Sequence, residues 1–282
     1  MIAPIVLALL LRGSDGSAQQ RELLSTVTIV GDCARDCGRG NTVFGAGEIV
    51  GRSADGELVV VTARHVVAAM SRPRVYLLNG SDPGARLETY RRKDDGRSAS
   101  VEATSNGADL ALVRFRLAPG DRYAVAPLSN GAPPQGGNVI GHPYGDAWTV
   151  SSFHFMNAMQ EAFVVRCPTC GPGDSGGGVF DTGGRLCGII VSQERTAVRD
   201  DARGFDERTA RFAVVPMGQV RSFIAFEARE AAGIRQASNP WTHFGVSAPT
   251  RDANPWSAAA WSHARPNDPW SRFAGSPPAV ER

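Results

Sequence analysis

Short runs rich in Val, Ile, Thr and Phe recur between positions 25 and 215, and turn-forming residues interrupt each one. Thr26–Val30, Leu58–Thr62, Val75–Leu77, Leu110–Phe115, Val139–Ile140, Phe163–Val165, Leu186–Val191 and Phe212–Val215 read as strands bounded by Gly, Pro, Asn or Asp. No helical repeats separate them, so the pattern predicts an all-β sandwich or a pair of barrels rather than alternating βα units. A turn cluster, Ala118-Pro119-Gly120-Asp121, divides the region into halves of similar size, expected as 19–118 and 119–235. One amphipathic helix should close the second half. Pro216 sits where a helix can begin, Val220, Phe223, Ile224, Ala228 and Ala231 recur at helical offsets, and Gly233 suits a stop.

The two ends differ from this middle. Ile2 to Leu11 is the longest apolar run, shorter than the roughly 18 residues of a membrane span. Arg12 and a small polar stretch ending at Ala18 follow it. Although no basic residue precedes the run, it resembles a secretory signal, so 1–18 is expected to be a signal peptide and the protein periplasmic or secreted. From Gln236 onward Leu and Ile disappear, and residues 236–282 should not build a core. Yet this tail holds four of the five tryptophans. Three of them follow proline, in Asn239-Pro240-Trp241, Asn254-Pro255-Trp256 and Asp268-Pro269-Trp270. A ring behind a stiff proline suits docking, either on a protein partner or on the β region itself.

Charge narrows the function. The 30 basic residues, of which only Lys93 is lysine, are balanced by 28 acidic ones, for a net charge of +2. That balance argues against a nucleic-acid protein built around a basic face. The five cysteines, Cys33, Cys37, Cys167, Cys170 and Cys187, allow disulfides with one thiol left over. The Cys33/Cys37 and Cys167/Cys170 spacings also admit zinc.

Three segments carry chemistry. Gly171-Pro172-Gly173-Asp174-Ser175-Gly176-Gly177-Gly178 sets a serine among glycines, whose freedom at positive φ lets successive N–H groups point into one concavity. That is what an oxyanion hole requires. A serine hydroxyl needs a base, and His65, directly after the strand Leu58–Thr62, is the best-placed of five histidines. His142 and His154 read as loop and strand residues, and His243 and His263 lie in the tail. Asp109, directly before the strand Leu110–Phe115, would need a strong partner if buried, and a histidine N–H would serve.

In combination, Thr62-Ala63-Arg64-His65, Asp109-Leu110-Ala111-Leu112 and Gly173-Asp174-Ser175-Gly176-Gly177 resemble the triad segments of the trypsin-like (chymotrypsin-fold) serine peptidases. The order His, Asp, Ser is that family's. The resemblance covers roughly residues 25–230. It implies an all-β fold of two six-stranded antiparallel barrels with a C-terminal helix. It implies Ser175 as nucleophile, His65 as general base and then acid, and Asp109 as the residue that orients His65. The N–H groups of Gly173 and Ser175 would form the oxyanion hole, Thr169 would lie at the base of the specificity pocket, and Ser192, Gln193 and Glu194 would line the substrate. No cofactor is implied.

Val139-Ile140-Gly141-His142-Pro143-Tyr144-Gly145 and Phe212-Ala213-Val214-Val215-Pro216 resemble bacterial Deg-type members more closely, without a following PDZ-like domain. Asp174 is the residue animal trypsins use where Deg-type enzymes usually have Asn. Ile29-Val30-Gly31 resembles the new N-terminus of activated trypsin zymogens, but Thr28 rather than a basic residue precedes it, and the segment also reads as an ordinary first strand. The expected function is a serine endopeptidase working through an acyl-enzyme on polypeptide substrates. The alternative is a protease-fold binding module, or an adaptor working through its tryptophan-bearing tail.

Overall fold

A computed structural model describes residues 14–34, 42–78, 86, 95–105, 107–130, 132–159, 161–196 and 209–231. The tail expected at 236–282 and the apolar run within 1–13 lie outside the described residues, as do Cys37 and Gly233.

Six strands close the first barrel in the order β1-β2-β3-β6-β5-β4. They are β1 (Thr26–Cys33), β2 (Thr42–Arg52), β3 (Leu58–Ala63), β4 (Met70–Tyr76), β5 (Arg97–Ser105) and β6 (Leu110–Phe115). Six more close the second in the order β10-β11-β12-β9-β8-β7. These are β7 (Gly136–Gly141), β8 (Thr149–Ala158), β9 (Phe163–Arg166), β10 (Gly178–Asp181), β11 (Leu186–Thr196) and β12 (Thr209–Pro216). All pairings within the barrels are antiparallel, so the expected double barrel is present.

The strands that sequence made legible are those buried on both faces. β3 and β6 are apolar almost throughout because they sit between neighbours inside the first barrel. β5 has the burial pattern of a strand facing water along most of its length, and its Arg-Ser-Ala-Ser-Val-Glu-Ala-Thr-Ser sequence carries no apolar run to betray it. Val27, Ile29, Ile49, Leu58, Val60 and Val113 fill the first barrel, and one continuous apolar cluster runs from them to Ile189, Val215, Val220 and Phe223. Burial of this kind stabilises by about 25 cal/mol per Å² of apolar surface.

Among the described residues, three α-helices and a 3-10 turn at Pro143–Gly145 accompany the barrels. The helix α1 (Ser14–Ser25) runs without a break into β1. Its span crosses Ala18, so the stretch read as a signal-cleavage site is helical from Ser14. The helix α2 (Arg64–Ala68) follows β3 directly. The helix α3 (Met217–Ala231) begins after Pro216 and buries Val220 and Phe223, as its spacing predicts.

The barrels meet along β1 and β2. Trp148 Nε1 donates to the Thr26 carbonyl at 2.8 Å. His142, fully buried, accepts the Trp148 backbone N–H on Nδ1 at 2.9 Å, which leaves its proton on Nε2, facing the Val27 carbonyl at 3.1 Å and Thr28 Oγ1 at 3.0 Å. Glu48 on β2, also fully buried, accepts from the Gly178 N–H of β10 and from Thr26 Oγ1, both at 2.9 Å.

Cys167 and Cys170 form a disulfide, Cys33 is disulfide-bonded to a partner outside the described residues, and Cys187 is a buried free thiol. Among the described residues no cluster of His, Cys, Asp and Glu is placed to hold a metal ion.

Candidate active site

β3 and β6 are neighbours, with Ala63 opposite Leu110. This register brings the turn after β3 against the turn before β6, and so His65 against Asp109. His65 Nδ1 donates to Asp109 Oδ2 at 2.6 Å, and the His65 backbone N–H donates to Asp109 Oδ1 at 3.0 Å. The Arg64 N–H adds a bond to the Asp109 carbonyl at 2.8 Å. The Asp109 side chain is 2% exposed and that of His65 39%, so one end of the pair is sealed and the other opens to solvent. With Nδ1 committed to the carboxylate, Nε2 is the basic nitrogen. Burial works to lower the His65 pKa, but the charge and hydrogen bond of Asp109 together outweigh it, and the imidazole titrates above its ordinary 6.5.

The serine segment reaches this pair from the second barrel. Gly173 has φ 106° and Gly176 φ 85°, so both stand where a side chain would strain the backbone. Space forbids one as well: a Cβ on Gly176 would meet the Ala46 carbonyl at 2.1 Å and Thr62 Oγ1 at 2.2 Å. The Ala46 N–H donates to the Ser175 carbonyl at 2.9 Å. Gly45 is pressed between the two halves, since a Cβ there would lie 2.7 Å from Val66, the residue after His65, and 2.9 Å from the Ser175 carbonyl. Ser175 is thereby docked onto the β2–β3–α2 corner that carries His65. Among the described residues the Ser175 hydroxyl makes no hydrogen bond, and neither the Gly173 nor the Ser175 N–H is used.

Residues 45–189, half of the chain, match the family model described as the trypsin-like peptidase domain. The chain belongs to this family. Its members are serine-type endopeptidases, and that activity class comes with membership. No curated protein matches the chain. Among solved structures, the active form of the Rv3671c protease from M. tuberculosis is similar at 20% identity and a TM-score of 0.54, over 77% of this chain and 85% of that one. The HtrA-type protease AlgW, crystallised with a tripeptide, is similar at 18% identity and a TM-score of 0.52, over 76% of this chain and 63% of that one. At such identities the likeness shows a shared fold.

In this trypsin-like chain the remaining candidate residues flank the serine. Thr169 is exposed on the short loop clipped by the Cys167–Cys170 disulfide. β11 is tied to the serine segment by Gly176 N–H to the Ile190 carbonyl at 2.7 Å and Ile190 N–H to the Gly177 carbonyl at 3.0 Å. Two residues on, past an irregularity in the β11–β12 register, Ser192 carries a buried hydroxyl with no hydrogen-bond partner among the described residues. Gln193 and Glu194 continue the strand opposite Phe212 and Arg211, and only their backbone is described. Ile29 lies in the middle of β1, paired with Gly45 and Val75, so the first-strand reading holds for it.

Three residues are buried in a way that sequence did not foretell. Glu48 looks like any strand-edge glutamate until β10 is seen to lie over it. His142 reads as a loop histidine because its partners, Val27, Thr28 and Trp148, are remote or apolar. Asp174 is 1% exposed, and burial pushes its carboxyl up to about 7 from its ordinary 3.8, opposed by hydrogen bonds from the backbone of Gly171 and His142. One signal was available: Trp148 is the only tryptophan ahead of the tail, and a lone tryptophan in a β region usually marks a packed junction.

Proposed function

We propose that the chain hydrolyses polypeptides through a Ser175-His65-Asp109 triad and an acyl-enzyme. The observation that carries this reading is the sealed Asp109 carboxylate holding His65 by two hydrogen bonds, with Nε2 left at the open end beside the segment that bears Ser175. In the first step His65 Nε2 takes the Ser175 proton while Oγ attacks the scissile carbonyl. Asp109 holds the tautomer and stabilises the imidazolium. The negative charge that develops on the carbonyl oxygen is met by the N–H groups of Gly173 and Ser175. His65 then returns the proton to the leaving amine, and water enters by the same route in reverse to release the acid.

The unpartnered Ser192 hydroxyl and the exposed Thr169 support substrate contacts on either side of the serine segment. Gln193 and Glu194 complete the proposed lining. A neutral threonine at the pocket base favours small or medium neutral residues before the scissile bond, with Arg tolerated through Glu194. The disulfides support an oxidising location, periplasmic or secreted.

A fluorophosphonate probe tests the reading directly. Wild-type protein should be labelled on Ser175, and Ser175→Ala should not. Equal labelling of the two proteins would reject Ser175 as the nucleophile.

A further inference from the structure

Gly171 opens the segment that leads to Ser175, yet its backbone is not in the positive-φ region that Gly173 and Gly176 occupy. Space, not conformation, requires a glycine there. A Cβ on Gly171 would lie 2.5 Å from Tyr144 Cε2, 2.6 Å from Cζ and 2.9 Å from the phenol oxygen. The Tyr144 ring thus rests on the backbone ahead of the serine, in the room that a side chain at 171 would fill.

Tyr144 stands apart from its neighbours on the loop after β7. His142, Pro143, Gly145, Ala147 and Trp148 are buried, whereas Tyr144 is 58% exposed. No other large apolar side chain among the described residues is exposed as much. Its backbone is left-handed, φ 52°, a conformation that a bulky residue rarely adopts. Bonds on both sides hold it there. The Tyr144 N–H donates to the Pro172 carbonyl at 2.7 Å, and the Tyr144 carbonyl accepts from Arg86 Nη1 at 3.3 Å. Arg86 also pairs with Asp146 at 2.7 Å, and the turn is closed by Gly145 N–H to the His142 carbonyl at 3.0 Å. A strained backbone held by several bonds, presenting a ring that the core does not use, is the pattern of a residue kept in place to meet a ligand.

The topology tells which part of a substrate the ring would meet. β10, which continues the serine segment, lies between β11 and β7. Ser192, Gln193 and Glu194 of β11, proposed above to line the substrate, stand on one flank of that segment, and the loop after β7 stands on the other. A peptide that lies along β11 up to the scissile bond leaves Ser175 on the Tyr144 side. Pro172, bonded to the Tyr144 backbone, is exposed beside it. A proline and a tyrosine ring make a stiff, uncharged ledge, and tyrosine gives much contact area for little loss of side-chain freedom.

We infer, resting on the serine-peptidase reading, that Tyr144 selects the leaving half of the substrate. With Pro172 it takes a large apolar side chain, such as Phe, Leu or Met, from one of the first two residues after the scissile bond. Thr169 concerns the residue before that bond, so the two selections are independent.

The experiment uses peptides identical up to the scissile bond that carry Phe, Leu, Gly or Asp at either of the next two positions. In wild type, kcat/KM with Phe or Leu at the better position should exceed that with Gly by about tenfold or more. Tyr144→Phe should keep this ratio. Tyr144→Asn removes the ring with a residue that suits a left-handed backbone, and should bring the ratio within about twofold of unity. A residue that only shaped the loop would slow every peptide by one factor, so a wild-type ratio retained in Tyr144→Asn overturns the inference. Equal wild-type rates for Phe, Leu and Gly at both positions overturn it as well. Should Tyr144→Asn fail to fold, Ser175→Ala can bind an uncleaved peptide bearing benzoylphenylalanine at the better position. Irradiation should attach that residue within His142–Trp148 or to Gly171 or Pro172, and attachment only elsewhere overturns the assignment. Absence of both fluorophosphonate labelling and cleavage of any peptide overturns the peptidase reading, and the subsite with it.

Discussion

Asp109 adopts a left-handed backbone, φ 49°, a conformation that costs a non-glycine residue of order 1 kcal/mol or more. What holds it there is the set of three bonds it takes from Arg64 and His65. The strain and the orientation of the imidazole are thus one arrangement. Replacing Asp109 by Asn should preserve the fold but put an amide where only an acceptor fits, favouring the wrong tautomer. Turnover should drop by about 10⁴ when peptide hydrolysis is measured at pH 8. Ser175→Ala or His65→Ala should each remove about 10⁶ in kcat, and the double variant should be scarcely worse, because the pair acts as a unit. Additive losses in that cycle would show the two residues working separately. Since Asp109 raises the His65 pKa, the acid limb of kcat/KM should lie above pH 6.5 in wild type and move down when the carboxylate is removed.

Among the elements, β2 does the most to join the halves. Its Ala46 N–H holds the Ser175 carbonyl, and its Glu48 takes the N–H of Gly178 at the start of β10. Burial raises the Glu48 pKa well above the ordinary value, against the lowering effect of its bonds to Thr26, Gly178 and Ser25. A carboxyl pKa raised by folding means that stability is full below about 4.5 and is lost as pH rises through the folded value. Glu48→Gln should therefore flatten the decline of Tm with pH above 5 in calorimetry. A variant that steepened it would mean the charge is compensated in the folded protein. At the other end, Phe223 on α3 is 1% exposed and belongs to the cluster that reaches the first barrel. Phe223→Ala should cost about 3–5 kcal/mol in urea unfolding. Because α3 holds both barrels, that loss should appear as one transition shifted as a whole.

For the whole molecule, the acid limit of stability is set where the barrels meet. Burial lowers the His142 pKa to about 4, partly offset by bonds to the backbone at Val27 and Gly141. A histidine pKa depressed by folding stabilises above the unfolded value near 6.5, and that contribution is lost as pH falls toward 4. Once protonated, Nδ1 can no longer accept the Trp148 N–H, and the contact between β1 and the loop after β7 breaks. Tm should fall between pH 6.5 and 4 in wild type and less steeply in His142→Gln. An identical acid slope in both would place the limit elsewhere. The chain ending at Arg235 should retain hydrolysis of small peptides, since every residue assigned to the site precedes that point. Loss of all activity on truncation would mean that residues 236–282 complete the site.

The sequence by itself determined the all-β class, the closing helix and the three segments that carry His65, Asp109 and Ser175. These were legible because each is a local pattern: a strand buried on both faces must be apolar throughout, an amphipathic helix repeats at its own period, and a serine that must stand free needs glycines beside it. β5 escaped because a strand wetted on most sides has no apolar period, and α1 because its buried positions, such as Glu22, are polar. Only the tertiary structure decided that Glu48 and His142 are buried where the barrels meet, and that Asp174 is buried against Gly141 and Gly171 of its own half. Their partners lie up to 130 residues away along the chain, as Glu48 and Gly178 do, and no local pattern records a contact made by the docking of one barrel on the other. The environment of a titratable group depends on what covers it, and here the cover of each barrel is supplied by its neighbour.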